Sequence, residues 1–186
     1  SDHPSPCRQR CPAAMSSPAS LPFEIQRSAK RGELQKVVKW LHKGGPVDAL
    51  GSATTHSGRI STVALLHVAA INGHLEMVRM LLERGASVDL PSSLGITALM
   101  NAAGYGHPST LLVLLQCSAN PDLQDIDGYT ALMYGAAQGQ EACVQALLRA
   151  RANPELRTED GHTALQFAEL QGHTAVAALI RQHAAP

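Results

Sequence analysis

The sequence predicts an all-α solenoid: short helix–turn–helix units stacked in one direction, with hairpin-like fingers projecting from the joints. Three observations carry this. A Gly-His or Gly-Gln pair recurs as Gly73-His74, Gly106-His107, Gly139-Gln140 and Gly172-His173, each 33 residues after the last. Thr97-Ala98-Leu99-Met100 returns as Thr130-Ala131-Leu132-Met133 and Thr163-Ala164-Leu165-Gln166 at the same spacing. A fixed period of this kind marks stacked units that bury their apolar faces only against neighbours. Finally, hydrophobic residues make up 45% of the chain but aromatics only 3%, so the core has to be built from Ala, Leu and Val.

Taken in order, residues 1–20 are rich in Pro, Ser and Ala without apolar periodicity, which predicts a disordered tail. A repeat domain follows over 21–183, in units of roughly 21–50, 59–91, 92–124, 125–157 and 158–183. The first unit lacks the threonine block, but Gly32, Val37, Trp40-Leu41 and Gly44-Gly45 fit the second half of a unit. Gly32 and Gly73 lie 41 residues apart, eight more than the period, which places an inserted loop at about 51–58. A loop costs little closure entropy per added residue, so a passive surface insertion is the simplest reading, and an adapted finger is the alternative.

The third unit shows the local logic. Thr97 suits a helix N-cap, its hydroxyl accepting a free first-turn N–H. Leu99, Ala102 and Ala103 follow at helical spacing, and Gly106 ends the helix by entering the left-handed region. A second helix over 109–116 turns Leu111, Leu114 and Leu115 to one face. Residues 121–128 then project as a finger. In the last unit Val176, Leu179 and Ile180 slide by about one residue and Arg181 falls where a leucine would pack. Polar, atypical ends are what a finite stack needs.

These blocks resemble ankyrin repeats, whose pattern Thr-Pro-Leu-His-x-Ala-Ala, Gly-His, Val-x-x-Leu-Leu and Gly-Ala recurs at this period. The second unit matches through Leu66-His67-Val68-Ala69-Ala70, Gly73-His74, Val78, Leu81-Leu82 and Gly85-Ala86. The third and fourth match with Thr-Ala-Leu in place of Thr-Pro-Leu, the proline serving only to preorganise the first turn. Ser118 and Arg151 depart from the pattern by replacing the usual turn glycine. Those turns should either be strained or take a variant form.

The resemblance implies an ankyrin-repeat solenoid of about five repeats that binds a protein partner on its concave face. Partners of such domains contact the finger tips and the C-terminal ends of the inner helices. Carried onto this chain, the candidate partner-binding residues are Ile71 and Asn72, Leu94 and Ile96, Tyr105, Ile126, Asp127 and Tyr129, Gln138, Glu159, Asp160 and His162, and Leu170 and Gln171. Ile60 and Val63 belong to the same series of finger positions. Tyrosine is a favoured interface anchor, whereas isolated surface apolar groups carry no meaning singly. Acids cluster at the later fingers (Asp122, Asp125 and Asp127, then Glu155, Glu159 and Asp160), as expected for steering a basic partner segment or for keeping finger tips solvated.

Composition and motifs narrow the function class. Fifteen basic residues balance fifteen acidic ones, which argues against nucleic acid or membrane as the main partner. The balance is uneven, with eight Lys/Arg against three Asp/Glu in residues 1–43. No apolar run is long enough to span a bilayer. Cys7, Cys11, Cys117 and Cys143 show neither zinc-ligand spacing nor a disulfide framework, which reads as free thiols in the cytosol or nucleus. No nucleophile elbow, phosphate loop or zinc-hydrolase motif is present. His67, His74, His107 and His173 fall in repeat slots where, by the same resemblance, histidine ties backbone groups together. The expectation is a monomeric, non-enzymatic adaptor or scaffold without metal or cofactor. The alternative is a stand-alone inhibitor of an enzyme such as a protein kinase.

Overall fold

A computed structural model describes residues 20–54, 58 and 60–184; the predicted tail, up to residue 19, and the apex of the inserted loop lie outside the described residues. In chain order the elements are α1 (Phe23–Lys30), α2 (Leu34–His42), β1 (Leu50–Thr54), β2 (Ile60–Ala64), α3 (Leu65–Ile71), α4 (Leu75–Glu83), α5 (Ala98–Gly104), α6 (Pro108–Gln116), α7 (Ala131–Ala137), α8 (Glu141–Arg149), α9 (Ala164–Leu170) and α10 (Thr174–Ala184). Each odd-numbered helix packs on the next odd one, forming an inner layer. The outer helices α4, α6, α8 and α10 stack likewise behind it. This is the predicted all-α solenoid.

Small residues let the inner helices approach one another. Ala29, Ala69, Ala70, Ala102, Ala103, Ala136 and Ala168 have no accessible surface, and Leu81, Leu111, Leu114 and Leu147 fill the space behind them. The largest fully buried side chains are Leu, Met, Ile and one His; none is aromatic. Methionine thus joins the leucines in a core expected to hold only Ala, Leu and Val.

The inner helices start on caps. Thr97, Thr130 and Thr163 accept from the N–H groups of Met100, Met133 and Gln166 at 3.3, 3.3 and 3.4 Å. The residue at that third position reaches back to the cap N–H: Gln166 Oε1 lies at 2.8 Å, but the Met100 and Met133 sulfurs only at 3.4 and 3.5 Å. In α3 the cap is Ala64, and His67 occupies the third position. Its Nδ1 accepts from the Ala64 N–H (3.1 Å) and its Nε2 lies 3.0 Å from the Ile96 carbonyl. Because Nδ1 accepts, the ring proton sits on Nε2 and is donated to Ile96. Burial pushes the His67 pKa below its ordinary value.

The Gly-His repeat has a physical cause that joins one unit to the next. A Cβ on Gly73 would come within 2.6 Å of the His107 ring, and one on Gly139 within 2.7 Å of His173. Each ring thus covers the preceding unit's glycine, with Nε2 on a carbonyl of the preceding helix end. His74 reaches Lys30 (3.1 Å), His107 reaches Ile71 (2.9 Å) and His173 reaches Ala137 (3.2 Å). Gln140 fills the same place over Gly106.

Ser118 and Arg151 adopt φ of 64° and 62°, in the left-handed region that Gly85 occupies at 84°. Of the two outcomes left open by the sequence, these turns keep the glycine geometry and carry the strain. The eight-residue insertion enlarges the first finger. β1 and β2 pair antiparallel from Leu50 opposite Ala64 to Thr54 opposite Ile60. Leu21 N–H and Gln26 Nε2 bond the Leu50 and Ser52 carbonyls at 2.8 and 3.0 Å, and Thr62 N–H bonds Ser93 Oγ in the next finger at 3.0 Å. Val63, expected on the finger surface, is buried.

At the far end Val176 and Ile180 are buried, and Arg181 pairs with Glu169 across α9 and α10. Cys143 is a free, buried thiol, whereas Cys117 is disulfide-bonded, so the expectation of free thiols holds for the first and fails for the second.

Candidate partner-binding face

The fingers and the C-terminal ends of the inner helices make one continuous face. Close backbone stacking builds the finger part. A Cβ on Gly95 would meet Asp125 Cα and Ile126 N at 2.9 Å, and one on Gly128 would meet Thr158 Cα and Glu159 N at 2.9 Å. Both glycines also have positive φ, so two independent reasons require glycine there. Across these contacts Ile126 N–H donates to Leu94 O and Glu159 N–H to Asp127 O, each at 3.2 Å.

Inside each of the three later fingers one buried polar residue holds the tip. Ser92 Oγ accepts from Leu94 and Ile96 N–H, Asp125 Oδ1 from Asp127 and Tyr129 N–H, and Thr158 Oγ1 from His162 N–H. A second set of acids ties finger stems between units. Asp48 accepts from Ser87, Asp89 from Asn120 N–H and Asp122 from Asn153 N–H. Asp125 also accepts from the Tyr134 hydroxyl at 2.6 Å. Asp122 and Asp125, grouped by sequence with the acids expected to steer a partner or keep finger tips solvated, are therefore engaged in holding fingers. Asp127, Glu155, Glu159 and Asp160 are exposed.

The expected site residues separate into two groups. Ile71, Asn72, Leu94 and Ile96 are half-buried: the Asn72 amide folds back onto Val68 O (2.7 Å), and Ile96 packs on the core while its carbonyl receives His67. Tyr105, Ile126, Asp127, Gln138, Glu159, Asp160, Leu170 and Gln171 are exposed, with Tyr129 and His162 half-buried beside them. The large exposed apolar groups of this face are Ile60 (76%) on the first finger, Tyr105 (42%), Ile126 (46%) and Leu170 (70%); Phe23 and Leu112 are exposed elsewhere.

Sequence reasoning missed two members of the face, Tyr134 and Phe167. Their rings join a chain of contacts: Tyr134 to Tyr129 at 5.6 Å, Tyr129 to Phe167 at 5.1 Å, and Phe167 to His162 at 5.7 Å between centroids. A Cβ on Gly104 would lie 3.6 Å from the Tyr134 side chain, so the track begins beside Tyr105. It ends at a shallow hollow lined by His162, Gln166, Glu169 and Leu170. The available signal was the scarcity of aromatics, which makes each one a marked position. Burial pushes the Tyr105 hydroxyl up. At Tyr129 and Tyr134 burial acts first, and nearby carboxylates, among them Asp125 and Asp127, push the hydroxyls up further.

Among the described residues no helix is long and apolar enough to cross a membrane, and no group of three or more His, Cys, Asp or Glu is placed to hold a metal ion. No curated protein matches the chain. Residues 25–125 and 99–186 match the family model described as ankyrin repeats (3 copies). With a match over most of its length and the stacked geometry above, the chain belongs to the ankyrin-repeat family, whose repeats are protein–protein interaction modules.

Proposed function

We propose that the chain is a non-enzymatic adaptor or scaffold that binds a protein partner across the face made by its fingers and inner-helix ends. The observation that supports this most is the placement of Tyr105, Ile126 and Leu170. All three are exposed on that one face, at positions the stacking does not need filled. Because the face is held by inter-unit hydrogen bonds before any partner arrives, little ordering entropy is lost by the binder.

The test is capture of partners from cell extract on the parent chain and on a Tyr105→Ala/Leu170→Ala double variant that melts like the parent. Loss of partners from the variant alone supports the reading; identical capture by both baits overturns it. An inhibitor would use the same face, but it would depress the activity of a captured enzyme in proportion to the amount added, which an adaptor would not.

A further inference from the structure

We propose that Tyr129 and Phe167, with the Asp160 carboxylate acting on Tyr129 and Glu159 next to it on the same finger, form a seat for an arginine side chain on an extended segment of the protein partner. The proposal rests on the protein-binding reading above and names the chemistry recognised there.

The first argument is placement. The chain has only six aromatic residues, three Tyr, two Phe and one Trp, and none is among its largest fully buried side chains. Three of the six, Tyr129, Tyr134 and Phe167, stand in one contact chain on the candidate face. All three lean on the edge of the Leu, Met and Ala core and stay partly exposed at the face. Tyr129 and Phe167 meet at 5.1 Å with their planes tilted by 33°, and both are partly exposed.

The second argument is charge. The finger bearing Glu159 and Asp160 lies directly on the finger bearing Tyr129, joined by the Glu159 N–H to Asp127 O bond. The Asp160 charge reaches the Tyr129 hydroxyl, contributing with Asp125 and Asp127 to its raised pKa. Glu159 and Asp160 are exposed and hold no ion pair among the described residues. Arg157, the basic side chain closest in sequence, is engaged by its own finger, donating to Gly161 O at 2.9 Å. A ring face attracts a cation, and adjacent carboxylates add hydrogen-bond acceptors. Guanidinium suits this arrangement better than ammonium, because it is planar, weakly hydrated and can stack on a ring while its N–H groups point outward.

The test is an amide-resolved NMR titration of the full chain with three blocked heptapeptides, Gly-Ser-Ala-X-Ala-Ser-Gly, in which X is arginine, lysine or norleucine. The arginine peptide should produce saturable shifts at Tyr129, Asp160 and Phe167, weakening as salt rises; the norleucine peptide should produce none. Phe167→Leu keeps an apolar side chain but removes the ring, and Glu159→Gln/Asp160→Asn removes the charge at exposed positions. Each should weaken arginine binding about two- to fivefold. Equal shifts with norleucine, no saturable shift, or unchanged binding by the Gln/Asn variant overturns the proposal. Lysine binding as tightly as arginine overturns the guanidinium preference. Should Phe167→Leu disturb signals across the stack, the Gln/Asn variant alone carries the test. If Tyr105→Ala/Leu170→Ala loses captured partners while the arginine peptide fails, protein binding stands and the arginine seat falls. Arginine binding with unchanged capture leaves the seat and removes the broader reading.

Discussion

The first two units and the later three follow one backbone plan but use the same slots differently. At the third position of the inner helix, spaced by the repeat period, stand His67, Met100, Met133 and Gln166. In the second unit a buried imidazole spans two units, from Ala64 N–H to Ile96 O; in the third and fourth a sulfur makes only a long contact to its own cap. The early units carry an enlarged, strand-paired finger, whereas the ring contacts among Tyr129, Tyr134, His162 and Phe167 all lie in later units. The later units keep the period strictly and gather the rings and exposed acids on their face. The period thus describes how units stack, and departures from it show where a unit meets some other demand.

Five substitutions would break or sharpen this contrast. Leu132, fully buried in α7, sits where losses reach units on both sides. Leu132→Ala should cost about 2–5 kcal/mol, and in a linear array it should broaden or split the urea transition; Leu21→Ala, beside the hairpin, should leave the later units cooperative. A single unchanged transition in the Leu132 variant would refute this uncoupling.

His67→Met tests whether the second unit depends on its imidazole. It should cost about 1–3 kcal/mol by weakening the bonds to Ala64 and Ile96, and it should also change the pH response. The buried ring has a lowered pKa, so the unfolded chain binds its proton first, near 6.5. The contribution of His67 is therefore full above that value and lost as pH falls below it toward the folded pKa. Urea midpoints measured on either side of pH 6.5 should show this component of the slope in the parent and not in the variant.

Arg151→Gly should stabilise the fourth unit by about 1 kcal/mol, because glycine adopts φ > 0 without the Cβ clash. The open space around Gly85 in the equivalent turn means that backbone strain alone is at stake. A thermal midpoint that does not rise would show the strain is relieved elsewhere. The smallest effect belongs to the terminal ion pair: with side chains 58% and 43% exposed, Arg181 and Glu169 should contribute under about 1 kcal/mol, and Glu169→Gln should scarcely move the melt at high salt.

Much of the fold was legible. Thr97 as a cap, Gly106 as a terminator and Leu111 with Leu114 as the buried face all follow from rules that act within a few residues, and the structure has each of them. The candidate face was legible in part. Tyr105, Ile126 and Leu170 could be picked out because the period aligns them with exposed slots, and they are exposed. Tyr134 and Phe167 sit inside helices and read there as ordinary core candidates; Asp125 reads as a surface acid until its Tyr134 partner is seen.

By itself, then, the sequence determined the repeat period, the helix pairs, the small-residue core and the family, since each depends on local spacing and on a unit meeting a near copy of itself. Only the tertiary structure decided which polar groups are spent between units and which remain at the surface. The glycine under a histidine ring, the aspartates tying one finger to the next and the Tyr129–Phe167 contact all join residues about one or more repeats apart. Such pairings depend on how far each unit is rotated and shifted against its neighbour, and that is set by the packing of the whole stack.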